Sequence, residues 1–179
     1  MSTTPSLVSE LERLASAATT EDTEASQVSL PSVADKIAKT IGVRTDEVAI
    51  LALSTRWKHL HFLVPEALKK VGFIPLSSST ALAAKTARDS RPEIDNNFIA
   101  ARHATVFEGV KLTGETAESI QKIVSAPILA DGKVVGVIQI SRKGADPATA
   151  GADFTADDLG KVLALCKPLG KLVQRAARE

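Results

Sequence analysis

KIVSAPILADGKVVGVIQIS, residues 122–141, is the stretch that decides the fold. Two β-rich apolar runs flank Asp131-Gly132, and Asp-Gly between two such runs is a strong short-range signal for a hairpin. Gln139 is a polar residue inside the second run. Strand alternation groups it with Val135 and Val137, opposite Gly136, Ile138 and Ile140.

Downstream, residues 144–153 form a loose Gly/Ala/Asp/Pro stretch. Thr155 then stands where it can cap a final helix, with Asp157 and Asp158 in the first turn, where the helix dipole favours negative charge. Leu159, Val162, Leu163, Cys166, Leu169, Val173 and Ala176 make one wide apolar stripe on it, and Leu165 and Leu172 extend that surface. A stripe of this width can cover a sheet and still touch a second helix. Pro168 is expected to kink the helix slightly.

Upstream, 109–119 reads as loop, 98–110 as a short helix and EIDNN, 93–97, as a turn cluster. TALAAKTARDS, 80–90, is an Ala-rich helix, capped by Ser78 or Ser79, that Pro92 cannot continue. FIPL, 73–76, is a short strand, and 65–72 a brief helical or turn segment ending at Gly72. EVAILAL, 47–53, and KHLHFLV, 58–64, are two strands joined by a short hairpin. In the second, His59, His61 and Leu63 share one side and Leu60 and Phe62 the other. SVADKIAKTIG, 32–42, is a helix with Ser32 as cap and Gly42 as stop. Leu7, Leu11, Leu14 and Ala18 share one face of a first helix, and a polar, weakly acidic linker follows it. The order of elements predicts a mixed α and β fold with an antiparallel sheet and long helices at both ends.

The 179 residues suffice for one domain that buries its own core. Lys and Arg number 22 against 21 Asp and Glu, so no electrostatic footprint for nucleic acid is present. Aromatic residues are 3%, without Tyr, which argues against a base-stacking platform. One cysteine excludes an internal disulfide framework, a CxxC redox pair and a cysteine zinc site. The first thirty residues hold one basic residue, Arg13, and lack the pattern of a secretory signal. No apolar run approaches the roughly twenty residues of a membrane span. The expectation is a cytoplasmic protein that binds neither nucleic acid nor membrane.

Ser125-Ala126-Pro127-Ile128-Leu129, Asp131-Gly132-Lys133, Val135-Gly136-Val137-Ile138-Gln139-Ile140 and Phe154-Thr155-Ala156-Asp157-Asp158-Leu159 together resemble the C-terminal half of a GAF domain. That half runs as a "vPl" strand, a "dG" turn, a "GvlqL" strand and an "F(t/s)xxD" helix start. The match covers about residues 120–177, and over 30–100 only the element order agrees. Here Gly136 would let a helix approach the central strand closely. The resemblance implies an α+β, PAS-like fold: a central antiparallel sheet, N- and C-terminal helices on one face, and a ligand pocket on the other face under loops and helices. It sets residues 1–27 aside as an N-terminal helix and polar linker outside the core, and 28–179 as a single GAF-like domain. Members bind cyclic nucleotides, haem, bilins or small metabolites, dimerise through their terminal helices, and are mostly fused to an output domain. No output domain is recognised in this sequence, so a stand-alone regulatory domain is expected.

The family's best-defined chemistries have no residues here to carry them. Cys166 lies on the apolar stripe of the last helix, which makes it a packing residue, and no cysteine stands where a bilin attaches. The NKFDE-like signature of cyclic-nucleotide binders is absent. No nucleophile–base pair, carboxylate dyad or metal triad is spaced to be read, so the chain is not expected to be an enzyme. His59 and His61 share a strand face and could hold a metal with a third ligand, or could contact haem, but no nearby carboxylate or third His is spaced to help. The ligand site is expected between the sheet and segment 77–110. Asp95 and Asn97 lie there with Asn96, Arg102 is a candidate anion clamp beside His103, and Gln139 faces the same side. An anionic or amide-bearing metabolite suits that set, and no cofactor is named by it. The bland alternatives are a turn for Asp95 and Asn97 and a solvent-facing Arg102. A homodimer is expected through the terminal helices, whose combined stripes exceed what one sheet face needs.

Overall fold

The computed structural model describes residues 4–17, 30–70, 72–98 and 119–177. In chain order the elements are α1 (Thr4–Ala17), α2 (Leu30–Ile41), β1 (Val48–Ser54), β2 (His59–Val64), β3 (Phe73–Pro75), α3 (Leu82–Asp89), β4 (Glu93–Asp95), β5 (Ser119–Ala130), β6 (Lys133–Gly144), α4 (Pro147–Ala150) and α5 (Ala156–Ala176). The strands form one antiparallel sheet in the order β3-β2-β1-β6-β5-β4. Helices α1, α2 and α5 pack on one face and α3 on the other. This is the expected α+β architecture.

Asp131 and Gly132 have φ of 52° and 77°, the left-handed pair that a two-residue hairpin turn requires. The β5–β6 ladder starts at Ala130↔Lys133 and shifts by one between Ile128 and Leu129. Val135 is the extra residue of that bulge. It turns to the helix side with Gly136 instead of alternating with Val137, which corrects the simple strand reading. Gly136 is indispensable where it stands: a Cβ there would lie 2.3 Å from the Leu51 carbonyl oxygen and 3.0 Å from Val173 Cγ1. Gly170 on α5 plays the matching part, since a Cβ would lie 2.1 Å from the Leu129 carbonyl oxygen.

The helix-side core is one continuous cluster built from Ile50, Ile128, Ile138 and Ile140 of the sheet and Val162, Leu165, Leu169 and Val173 of α5. Thr155 caps α5 in a capping box with Asp158, as the sequence predicts. Leu163 is 40% exposed, so the stripe is narrower than predicted on that flank. Leu7, Leu11 and Ala15 of α1 are buried in the same core. Residues of the first helix therefore contribute side chains to the helix-side core. Their burial uses part of the apolar surface from which the homodimer was argued.

Three local expectations change. Ser32 lies within α2 and caps nothing at its start, while Gly42 (φ 88°) ends that helix as predicted. The N-cap of α3 is Ala81, and Ser78 Oγ instead accepts the Ala81 amide at 3.1 Å. Glu93–Asp95 is an edge strand paired with β5, and it leads directly into a turn at Asn96 and Asn97. The short helix predicted at 98–110, apart from Phe98, and the linker 19–27 fall outside the described residues.

Candidate functional site

The face under α3 is packed differently from the helix side. Its apolar residues split into two smaller clusters. One gathers Leu51, Leu60, Phe62, Leu68 and Val137 under Ala83, Ala84 and Ala87 of α3, and the other holds Leu82, Phe98, Ile120 and Ile123. A polar row accompanies them. Cross-strand register places Gln139 of β6 beside Ser125 of β5, and Ser125 beside Glu93 of β4. Thr86 of α3 joins from above.

These groups are chained. Gln139 Nε2 donates to Ser125 Oγ at 3.2 Å, Ser125 and Thr86 hydroxyls meet at 2.7 Å, and Thr86 Oγ1 donates to the Leu82 carbonyl at 2.9 Å. All three residues are buried, and Gln139 is 4% exposed. A carboxamide has four hydrogen-bonding positions, and the described residues occupy one of them. At the rim, Lys85 of α3 donates to Glu93 at 3.0 Å. The chain passes out of the described residues after Phe98 and returns at Ser119, both beside this face.

The expected site residues separate accordingly. Gln139 faces the α3 side, as the alternation indicated. Asp95 is half-buried on β4, two positions along from Glu93, and accepts the Asn97 amide at 2.9 Å, so this pair forms the bland alternative, a turn. Asn97 is exposed. Asn96 binds the Phe154 backbone through both lobes of its amide, at 3.0 and 2.8 Å, and ties the turn to the start of α5. Arg102 and His103 lie outside the described residues. Ser125 and Thr86 were missed by the sequence reading.

Solved structures match this arrangement over nearly its whole length. The GAF domain of an Acinetobacter phosphoenolpyruvate-protein phosphotransferase covers 96% of this chain and 93% of its own, with TM-score 0.63 and 20% identity. The corresponding GAF domain from Coxiella burnetii covers 98% and 95%, with TM-score 0.62 and 8% identity. The GAF domain of A. aeolicus Nlh2 in an inactive state covers 98% and 97%, with TM-score 0.57 and 16% identity. The chain has the GAF fold. No protein-family model matches the sequence, and no curated protein matches it.

Elsewhere in this GAF fold the titratable groups are tied into structure. Cys166 is buried on α5, and burial pushes its thiol up to about 12. His59 stacks on Phe73 at 4.4 Å and stands edge-on to His61 at 6.1 Å. Burial, His59 and Lys69 hold the His61 imidazole below its usual value. Among the described residues no group of three His, Cys, Asp or Glu is placed to hold a metal. Buried Lys122 donates to the Gly151 carbonyl at 2.5 Å and pairs with Asp153 at 2.8 Å, which pins the loop before α5. Buried Glu47 accepts the backbone amides of Arg44 and Lys143. No described helix is long and apolar enough to cross a membrane. An open groove of about 950 Å³ runs along the outside of the helical layer between Pro5 and Val8 of α1 and Ala156, Gly160 and Ala164 of α5.

Proposed function

We propose that the chain is a regulatory domain that binds a small molecule on the α3 face and passes its state to a partner protein or a second copy of itself in the cytoplasm. Gln139 carries the reading. Burying an amide costs about 1–3 kcal/mol, and one hydrogen bond returns about 1 kcal/mol. An apolar side chain at this sheet position would cost the fold less, so the amide is better explained by a further partner. The clusters on either side offer the apolar walls that small-molecule sites use.

Native mass spectrometry of the protein purified from cells tests this directly. A retained small molecule that is lost in Gln139→Leu, with the melting temperature of the empty variant kept or raised, supports it. Protein without any retained molecule, together with a Gln139→Leu variant that melts lower, supports the second reading: a ligand-free interaction module. That reading draws on the closure of the hydrogen-bond chain by a helix carbonyl. In either case a dimer through the terminal helices is the arrangement we propose, and light scattering reads it. Arg102 and His103 stay in the proposal as ligand contacts on sequence grounds. Weaker binding by Arg102→Ala at unchanged melting temperature is the expected result.

A further inference from the structure

We infer that Gln139 receives an uncharged ligand group bearing a hydrogen-bond donor, such as a carboxamide, and discriminates against a carboxylate at that position; this rests on reading the α3 face as a ligand site. The direction of the buried chain decides it. The Leu82 carbonyl can only accept, so the single Thr86 proton is committed to it at 2.9 Å. The 2.7 Å contact between Thr86 and Ser125 must then be donated by Ser125. With its proton committed, Ser125 can only accept from Gln139, and only Nε2 can give. A helix carbonyl at one end thus fixes which lobe of the Gln139 amide faces the strand neighbour, an assignment that rests on the network itself.

What remains open on the carboxamide follows from this. Of its three positions without a described partner, two are lone pairs on Oε1 and one is the second N–H. A ligand amide brings both donors and an acceptor to that set. A carboxylate brings acceptors only, so it can take the second N–H but leaves Oε1 facing a lone pair in a site shielded from water. The described polar groups in the row offer no charge to offset that: Ser125 and Thr86 are neutral, and Lys85 at the rim is already paired with Glu93. At Gln139 the amide-bearing class of the sequence reading is therefore the better fit.

Benzamide and benzoate share one ring and differ in this one property, so they make the probe pair. Binding of each to the intact chain is followed by titration of amide resonances, including the Gln139 side chain. The wild type is expected to prefer benzamide by about tenfold, the size of one hydrogen bond gained against one acceptor left facing another. Thr86→Val keeps the side-chain shape but cuts the chain from its anchoring carbonyl. It should release the Gln139 amide to turn over and shrink that preference toward unity, whatever it does to stability. Benzoate bound as tightly as benzamide, with both lost in Gln139→Leu, overturns the ligand class and leaves the site standing. A benzamide preference untouched by Thr86→Val overturns the anchored-amide argument. Neither probe shifting any resonance on the α3 face removes the site reading, and the inference with it.

Discussion

Helix α5 contains a matched pair of glycines for which the structure demands opposite outcomes. A Cβ built at Gly160 meets nothing within 4 Å, whereas one at Gly170 lies 2.1 Å from the Leu129 carbonyl oxygen and 3.0 Å from its carbon. Alanine at either position gains about 1 kcal/mol of helix propensity. At Gly160 that gain is the whole effect, and it raises the melting temperature by about 2–4 °C in a chain of this size. At Gly170 the obstacle is strand backbone, which cannot swing aside, so α5 must lift off β5 by about 1 Å to restore ordinary contact. Lifting it loosens Leu165, Leu169 and Val173, which α5 inserts into the core. Overpacking of this kind costs about 1–3 kcal/mol and occasionally more, which exceeds the propensity gain. Gly170→Ala should therefore melt lower than wild type while Gly160→Ala melts higher. Urea unfolding with comparison of slopes checks that both variants keep the same native state. Running it at two protein concentrations separates folding from association. A Gly170→Ala protein as stable as wild type would refute the close helix–strand contact. A less stable Gly160→Ala at both concentrations would refute the open surface around it.

Cys166 should resist alkylation at about pH 8 in the native protein and react once unfolded, because its thiol is raised to about 12 by burial. Cys166→Ala should cost about 1 kcal/mol of stability and leave ligand binding as it was. His61 predicts a pH effect. Its folded value lies below the ordinary 6.5, chiefly through burial, so between the two values the unfolded chain binds more protons. Stability should fall as pH drops through about 6.5 toward the folded value, and His61→Gln should flatten that slope in melting curves taken from about pH 8 to about pH 5. Leu11→Ala should cost about 2–5 kcal/mol, since this residue of the first helix is fully enclosed. An unchanged urea midpoint would show that α1 does not pack as described.

Features written in local chemistry were legible in the sequence. Asp131-Gly132 announces its turn, Thr155 and Asp158 their capping box, and Gly136 the close approach of α5. The Gln139 side of the sheet also followed from alternation. Its partners did not. A plain two-residue hairpin sets Ser125 opposite Ile138, and only the bulge at Val135 slides it opposite Gln139. A bulge is a response to sheet curvature and packing, with no residue type in this sequence that demands it. Thr86 lay hidden for a related reason: its importance comes from a helix resting on two distant strands. The edge strand Glu93–Asp95 was too short, and too rich in turn-forming residues, to be distinguished from the turn it leads into. The burial of α1 was missed because its stripe of leucines suits an external partner as well as an internal one.

The strand order carries a consequence for how the chain folds. β1 with β2, and β5 with β6, are local hairpins that can form early and separately. They are united only where β1 meets β6, along Val48↔Ile140 to Ala52↔Gly136, between residues about ninety positions apart. Closing so long a loop is slow and is rewarded only when α5 docks across both hairpins, so the rate-limiting step should sit at this junction. Changes there, Gly136 foremost, should slow folding, while changes at the three-residue edge strands β3 and β4 should mainly hasten unfolding. The sheet is thus two kinetic units joined at its middle, and its edge strands consolidate only after that junction has formed.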